Sequence, residues 1–245
     1  MAGMIKRAKR SVRRKVGDWL HGAIHTAPDS LRGRISPALC YFEMLIVDYG
    51  IVRILYNNRH RISQDAWRSA QPAPHQIRDA ARKGIKTVIN LRGDQSFGTT
   101  WLEQRACQQN GVSLVNLKLR SRAAPSREEL HAIRDLFASI DYPVLIHCKS
   151  GADRAGLMSV LYRHVREGLP IEKAKNELSF KYGHIRQADT GVLDYFFERY
   201  LADNARQPID FWDWVDTRYD AEEVNRSFKA KPLANRLVNT ILARE

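Results

Sequence analysis

Val144-Leu145-Ile146-His147-Cys148-Lys149-Ser150-Gly151-Ala152-Asp153-Arg154-Ala155-Gly156-Leu157-Met158 reads as a strand, a tight loop and the start of a helix. Val144 to Ile146 are apolar and partly β-branched, as a short central strand requires. Apolar residues at 157, 158, 160, 161 and 165 then recur at helical spacing. Between strand and helix stand Cys148, five residues and Arg154. A loop of this length can turn successive backbone N–H groups onto one anion at a helix N-terminus. Gly151 permits a turn that a side chain would obstruct, and Arg154 offers a planar fork for two phosphate oxygens. The same surroundings favour a thiolate at Cys148, which is a nucleophile placed for in-line attack on a bound phosphate. The plainer reading is a buried, inert cysteine after a strand.

His147, Cys148, Gly151 and Arg154 make His-Cys-x-x-Gly-x-x-Arg. This resembles the signature of the cysteine-based protein tyrosine and dual-specificity phosphatase superfamily. A rhodanese-type cysteine loop is the nearest competitor, but the Arg154 spacing suits phosphate better than persulfide chemistry. Trp67-Arg68-Ser69-Ala70-Gln71-Pro72 also resembles the opening segment of bacterial and fungal members, and the likeness covers about residues 63–200. It implies an α/β fold: a dual-specificity-phosphatase-like central sheet flanked by helices, with N- and C-terminal helical extensions. It implies the chemistry too. Cys148 attacks phosphorus, water hydrolyses the phosphocysteine, and Arg154 with the amides of Lys149, Ser150, Gly151 and Ala152 holds the phosphate oxygens. His147 supports the loop. No cofactor and no metal are implied.

Outward from the loop, strands alternate with helices, the pattern of a sheet covered on both faces. Pro74 to Lys83 predicts a helix ending at Gly84, and Ile85 to Leu91 a strand. Trp101 to Asn110 predicts a helix stopped by Gly111, and Val112 to Leu119 a strand. Ser126-Arg127-Glu128-Glu129 is a capping box opening a helix to about Ser139. Pro170 introduces a helix from Ile171 to Phe180, and Asp189 is expected to cap one from about Gly191 to Ala202. Phe211, Trp212, Trp214, Tyr219, Phe228, Leu233, Leu237, Val238, Ile241 and Leu242 suggest two further short packing helices.

The 245 residues divide into a basic, partly amphipathic helical extension (1–62), a phosphatase domain (63–204) and a C-terminal helical extension (205–245). The net charge of +13 favours anionic partners. It is uneven: residues 1–62 carry +8 and residues 63–245 carry +5. Residues 4–25 and 37–56 therefore read as candidate contacts with an anionic membrane surface, beside the plainer readings of a solvated tail and a packed helix. Nucleic acid is not expected, because no motif accompanies the charge. Cys40, Cys107 and Cys148 are too few for a disulfide framework. A cytoplasmic protein is the expectation, with a peripheral place on the inner face of the membrane left open beside it, and no membrane-spanning helix is expected, since no stretch of 18 uncharged apolar residues exists.

The general acid departs from the superfamily pattern. The loop expected to supply an Asp is Lys118-Leu119-Arg120-Ser121-Arg122-Ala123-Ala124-Pro125, with three cations and no carboxylate. Asp153 is the candidate acid instead. Cys-Lys-Ser-x-x-Asp-Arg is similar to the loop of phosphoinositide phosphatases, and myotubularins also carry Asp before this Arg. Ala155 stands where many relatives have Ser or Thr, whose hydroxyl assists loss of the thiolate. Arg120, Arg122, His184 and Arg186 are candidate cations at the substrate mouth. The reading is a cysteine-dependent phosphomonoesterase of the tyrosine/dual-specificity type acting on phosphoprotein. The alternatives are a membrane-surface phosphatase of phosphatidylglycerophosphate or phosphoinositide-like phospholipid, and a phosphate-binding module of weak catalysis.

Overall fold

The computed structural model describes residues 37–48, 53–54, 56–93 and 98–228. The segment 4–25 and the C-terminal apolar residues from Leu233 onward lie outside the described residues, as does part of 37–56.

Five strands form one sheet: β1 (His60–Arg61), β2 (Ala66–Ala70), β3 (Thr87–Asn90), β4 (Ser113–Asn116) and β5 (Val144–Cys148), in the order β1-β2-β5-β3-β4. The fully buried β5 lies at the centre, parallel to both neighbours, with Ala70 opposite Cys148 and Asn90 opposite His147. β4 runs parallel to β3, and β1 closes the other edge antiparallel to β2. Parallel strands need both faces covered. Successive side chains of β5 supply them: Val144 and Ile146 enter one apolar cluster and Leu145 the other.

On one face, α1 (Pro74–Arg82) and α2 (Gly98–Gln109) bury Ile77, Ala80, Ala106 and Cys107 against Val88 and Leu145. The other face carries α3 (Arg127–Ser139), α4 (Asp153–Glu167), α5 (Ile171–Ala174) and α6 (Val192–Arg206). Two short helices follow on that face, α7 (Phe211–Thr217) and α8 (Ala221–Ser227). The capping box forms as read, with Ser126 Oγ accepting from Glu129 N at 3.2 Å and Glu129 Oε2 accepting from Ser126 N at 2.7 Å. The C-terminal aromatic residues are core. Phe211, Trp214, Val215 and Tyr219 share the cluster of Leu157 and Phe196, and the Phe196 ring lies 5.9 Å from that of Trp214. Trp214 Nε1 donates to Asp203 Oδ2 at 2.8 Å, which satisfies the indole's one polar group. Among the described residues no helix is long and apolar enough to cross a membrane.

Two expectations change. The helix read from Ile171 to Phe180 ends at Ala174 and gives way to single 3₁₀ turns at Lys175–Glu177 and Phe180–Tyr182. Arg68 Nη1 donates to Glu177 O at 2.7 Å, which takes the carbonyl a continuing helix would use. Asp189 does not cap α6. It opens a 3₁₀ turn, and Gly191 occupies the N-cap position without a side-chain bond. The chain folds back so tightly there that a Cβ on Gly191 would collide with Arg186 O.

Candidate active site

The carboxyl ends of parallel strands are where an open α/β sheet presents a crevice. Here Gln71 leaves β2, Arg92 leaves β3, and Cys148 ends β5. The chain then turns through Lys149, Ser150, Gly151 and Ala152 into α4, whose first residue is Asp153.

Four successive carbonyls of this turn are bonded outward. Lys149 O accepts from Gln71 N at 3.3 Å, and Ser150 O accepts from Asn58 Nδ2 at 2.9 Å. Gly151 O and Ala152 O both accept from Arg68 Nη2, at 2.9 and 2.8 Å. In a trans peptide, the N–H points opposite to the C=O. The N–H groups of Ser150, Gly151, Ala152 and Asp153 therefore point away from these partners, and a loop of successive N–H groups at a helix N-terminus can bind an anion. The turn needs glycine at its middle. Gly151 has φ +74°, and a Cβ there would lie 2.6 Å from Ala70 N.

Arg68 is wholly buried beneath the loop. Its charge faces Glu177 Oε2 at 3.2 Å and the Tyr182 ring at 4.0 Å. Burial lowers its pKa, while Glu177 and then Cys148 act the other way, leaving it below the ordinary value. Asn58, buried and in the left-handed region at φ +45°, ties Ser150 O to Tyr182 O, the second bond also at 2.9 Å.

His147 is the buried penultimate residue of β5, directly before Cys148. Its Nδ1 donates to Cys148 O at 3.3 Å and its Nε2 lies 2.7 Å from Glu103 Oε1. Glu103 in turn accepts from Gln71 Nε2 at 3.1 Å. Cys148 is 2% exposed. Arg154, 7% exposed, donates from Nη1 to Leu91 O at 3.4 Å, which brings its fork to the end of β3.

A buried carboxylate from the N-terminal segment reaches the same strand ends. Arg92 grips Asp48 with both terminal nitrogens, at 2.7 and 3.1 Å. Arg53 Nη2 lies 3.0 Å from Asp48 Oδ2, and Lys149 Nζ lies 3.6 Å from Oδ1. Burial alone would raise the Asp48 pKa. The charges of Arg92 and Arg53, with a hydrogen bond from Arg92, hold it well below the usual carboxylate range. Arg92 also donates to Gln71 Oε1.

The expected substrate-mouth cations do not form one open group. His184 is buried, and both its ring nitrogens meet carboxylates: Nδ1 lies 2.8 Å from Asp153 Oδ1 and Nε2 lies 2.6 Å from Asp194 Oδ2. Two ionised carboxylates, one at each ring nitrogen, favour the imidazolium form. Burial works against that charge, but the bonds and charges of Asp153 and Asp194 push the pKa up to about 9. Arg186 pairs with Glu198 at 2.5 Å, and Arg122 lies 3.8 Å from Asp189. Arg120 is exposed.

The sequence reading assigned no role to Asp48, Asn58, Arg68, Gln71, Arg92, Glu103 or Asp194. Some signals were present. Asp48 is a carboxylate inside the most apolar stretch, where a charge needs a partner. Glu103 lies between the apolar Leu102 and Ala106 on the buried side of its helix.

Residues 49–191, more than half of the chain, match the family described as DSP-PTPase phosphatase fused to NAD+ kinase. The dual specificity protein phosphatase TpbA of Pseudomonas aeruginosa (strain UCBPP-PA14) is 32% identical over 122 residues, which is 49% of this chain and 53% of TpbA. The chain thus spans about half the length of the curated relatives it matches. A crystal structure of P. aeruginosa TpbA aligns at a TM-score of 0.47 and 22% identity, covering 70% of this chain and 90% of that one. Another, of TpbA in complex with pTyr, aligns at 0.45 and 25% identity, covering 60% and 91%.

Proposed function

This chain belongs to the family described as DSP-PTPase phosphatase fused to NAD+ kinase, and from that premise we propose that it hydrolyses phosphomonoesters through a phosphocysteine on Cys148. The observation that carries this reading is the set of carbonyls from Lys149 to Ala152, each bonded to a partner outside the loop, which leaves the opposite N–H groups available to a phosphate. Such a cradle matches the equatorial oxygens of a transferring phosphoryl group, and Arg154 adds a bidentate cation.

The mechanism has two steps. Cys148 Sγ bonds to phosphorus as the bond to the leaving oxygen breaks, and Asp153 passes a proton to that oxygen. Water then adds to phosphorus, the S–P bond breaks, and the thiolate returns with release of inorganic phosphate. Arg154 and the loop amides hold the oxygens in both steps. His147 and Glu103 fix the strand end that carries the nucleophile.

The name of the curated relative, a dual specificity protein phosphatase, makes phosphoprotein the first substrate class. The second reading is a phospholipid monoester. It rests on Lys118, Arg120 and Arg122 in a neighbouring loop without a carboxylate, and on the anionic surface that the basic N-terminal region suits. The test is phosphate release by wild type and Cys148→Ser, side by side, on a phosphotyrosine peptide and on phosphatidylglycerophosphate in micelles. Release that vanishes in the variant, fastest on the peptide, is the expected result. Faster release from the lipid selects the second reading. Equal release by both proteins would remove Cys148 from the chemistry.

A further inference from the structure

We propose that His184, clamped between Asp153 and Asp194, is a positioning residue that stores the leaving-group proton and supplies it through Asp153. The inference deepens the mechanism above and rests on its reading of Asp153 as donor.

The geometry begins with Asp153 itself. It stands in the first turn of α4, where the helix dipole favours an ionised carboxylate. A group so placed transmits a proton well but stores one poorly. The store lies one bond away. His184 Nδ1–H points at Asp153 Oδ1 across 2.8 Å, while Asp194 Oδ2 holds the other end of the ring at 2.6 Å. Asp194 thus fixes the ring's orientation and supports its positive charge, as the third member of a relay does for a histidine.

The charged groups around His184 come from four segments. Asp153 belongs to α4, and Asp194 and Glu198 to α6. Lys175 and Arg186 lie across a cavity of about 310 Å³ that His184 and Asp194 help to line. Arg186 is turned onto Glu198. The imidazolium therefore keeps its two carboxylates, and the cavity opens beside it.

The step balances. As the P–O bond breaks, Asp153 takes the Nδ1 proton of His184 and delivers a proton to the leaving oxygen. The triad passes from three charges to two carboxylates and a neutral ring. In the second step, the attacking water loses a proton, which returns along the same path and restores the imidazolium.

The experiment compares wild type, His184→Gln and Asp194→Asn on p-nitrophenyl phosphate, whose leaving group needs no proton, and on a phosphoserine peptide, whose leaving group does. His184→Gln is expected to lower kcat about 100-fold on the peptide and under about 5-fold on the aryl ester, with KM unchanged on both. Asp194→Asn is expected to move the basic limb of the peptide kcat–pH profile to lower pH, and it decides alone if His184→Gln does not fold. Equal losses on the two substrates, or an unmoved limb in Asp194→Asn, would overturn the proposal. Its failure is distinct from failure of the underlying reading. If Cys148→Ser is inactive and Asp153→Asn discriminates the two leaving groups while His184→Gln does not, the phosphocysteine mechanism stands and the proton store falls.

Discussion

Arg68 and Gly151, 83 residues apart, are joined by one hydrogen bond, from Arg68 Nη2 to Gly151 O at 2.9 Å. The same nitrogen reaches Ala152 O at 2.8 Å. One buried guanidinium thus holds two successive peptide units of the loop between β5 and α4.

Arg68→Lys keeps the charge and loses the fork. Inorganic phosphate should bind about 10-fold more weakly, equivalent to ~1.4 kcal/mol. Stability should fall by about 2 kcal/mol as the buried carbonyls of Gly151, Ala152 and Glu177 lose hydrogen bonds from the fork. Calorimetric titration and urea unfolding measure the two effects. Unchanged phosphate affinity would mean that the loop holds its shape without Arg68.

Gly151 and Gly168 make a controlled pair. Both have positive φ, +74° and +64°. A Cβ at 151 meets backbone at 2.6 Å, whereas nothing lies within 4 Å of one at 168. Gly168→Ala should cost only about 1 kcal/mol, the left-handed backbone penalty, and leave turnover unchanged. Gly151→Ala should abolish turnover, because the atoms it meets, Ala70 N and Ser69 C, are main chain of a central strand. Similar activity in the two variants would contradict the packing of the loop on β2.

Asp48→Asn tests the cluster formed with Arg92, Arg53 and Lys149. The folded-state pKa of Asp48 is depressed. Its charge therefore stabilises the fold above the unfolded pKa of about 4, and that contribution is lost as pH falls toward the folded value. Wild type should be more stable than the variant by about 3 kcal/mol at neutral pH, with the gap narrowing below about pH 4. Denaturant midpoints from pH 2 to 7 give the result, and a constant gap would refute the assignment.

His184 carries the opposite sign. Its pKa is raised from 6.5 to about 9, so its stabilisation is complete below the unfolded value and is lost as pH rises through the folded one. Wild type should lose roughly 3 kcal/mol between those limits, and His184→Gln should lack that decline. Unfolding free energies measured from pH 6 to 10 decide between the two profiles.

The loop from Cys148 to Arg154 and the order of strands and helices around it were determined by the sequence itself. The reason is covalent. A β-branched run, a glycine and a helical spacing within fifteen residues act through local geometry, and a neighbouring element cannot move Cys148 away from Arg154. The partners of that loop were decided only by tertiary structure. Arg68 reaches it from 83 residues away, Glu103 meets His147 from a helix packed on the sheet, and Asp48 finds Arg92 over 44 residues. With 40 Lys and Arg and 27 Asp and Glu in the chain, charge alone does not select a pair. Strand order does, because placing β5 between β2 and β3 brings the ends of three strands together. His184 shows the same rule. In the sequence it is a cation near the site, and only the packing of α6 beside the first turn of α4 sets it between two carboxylates.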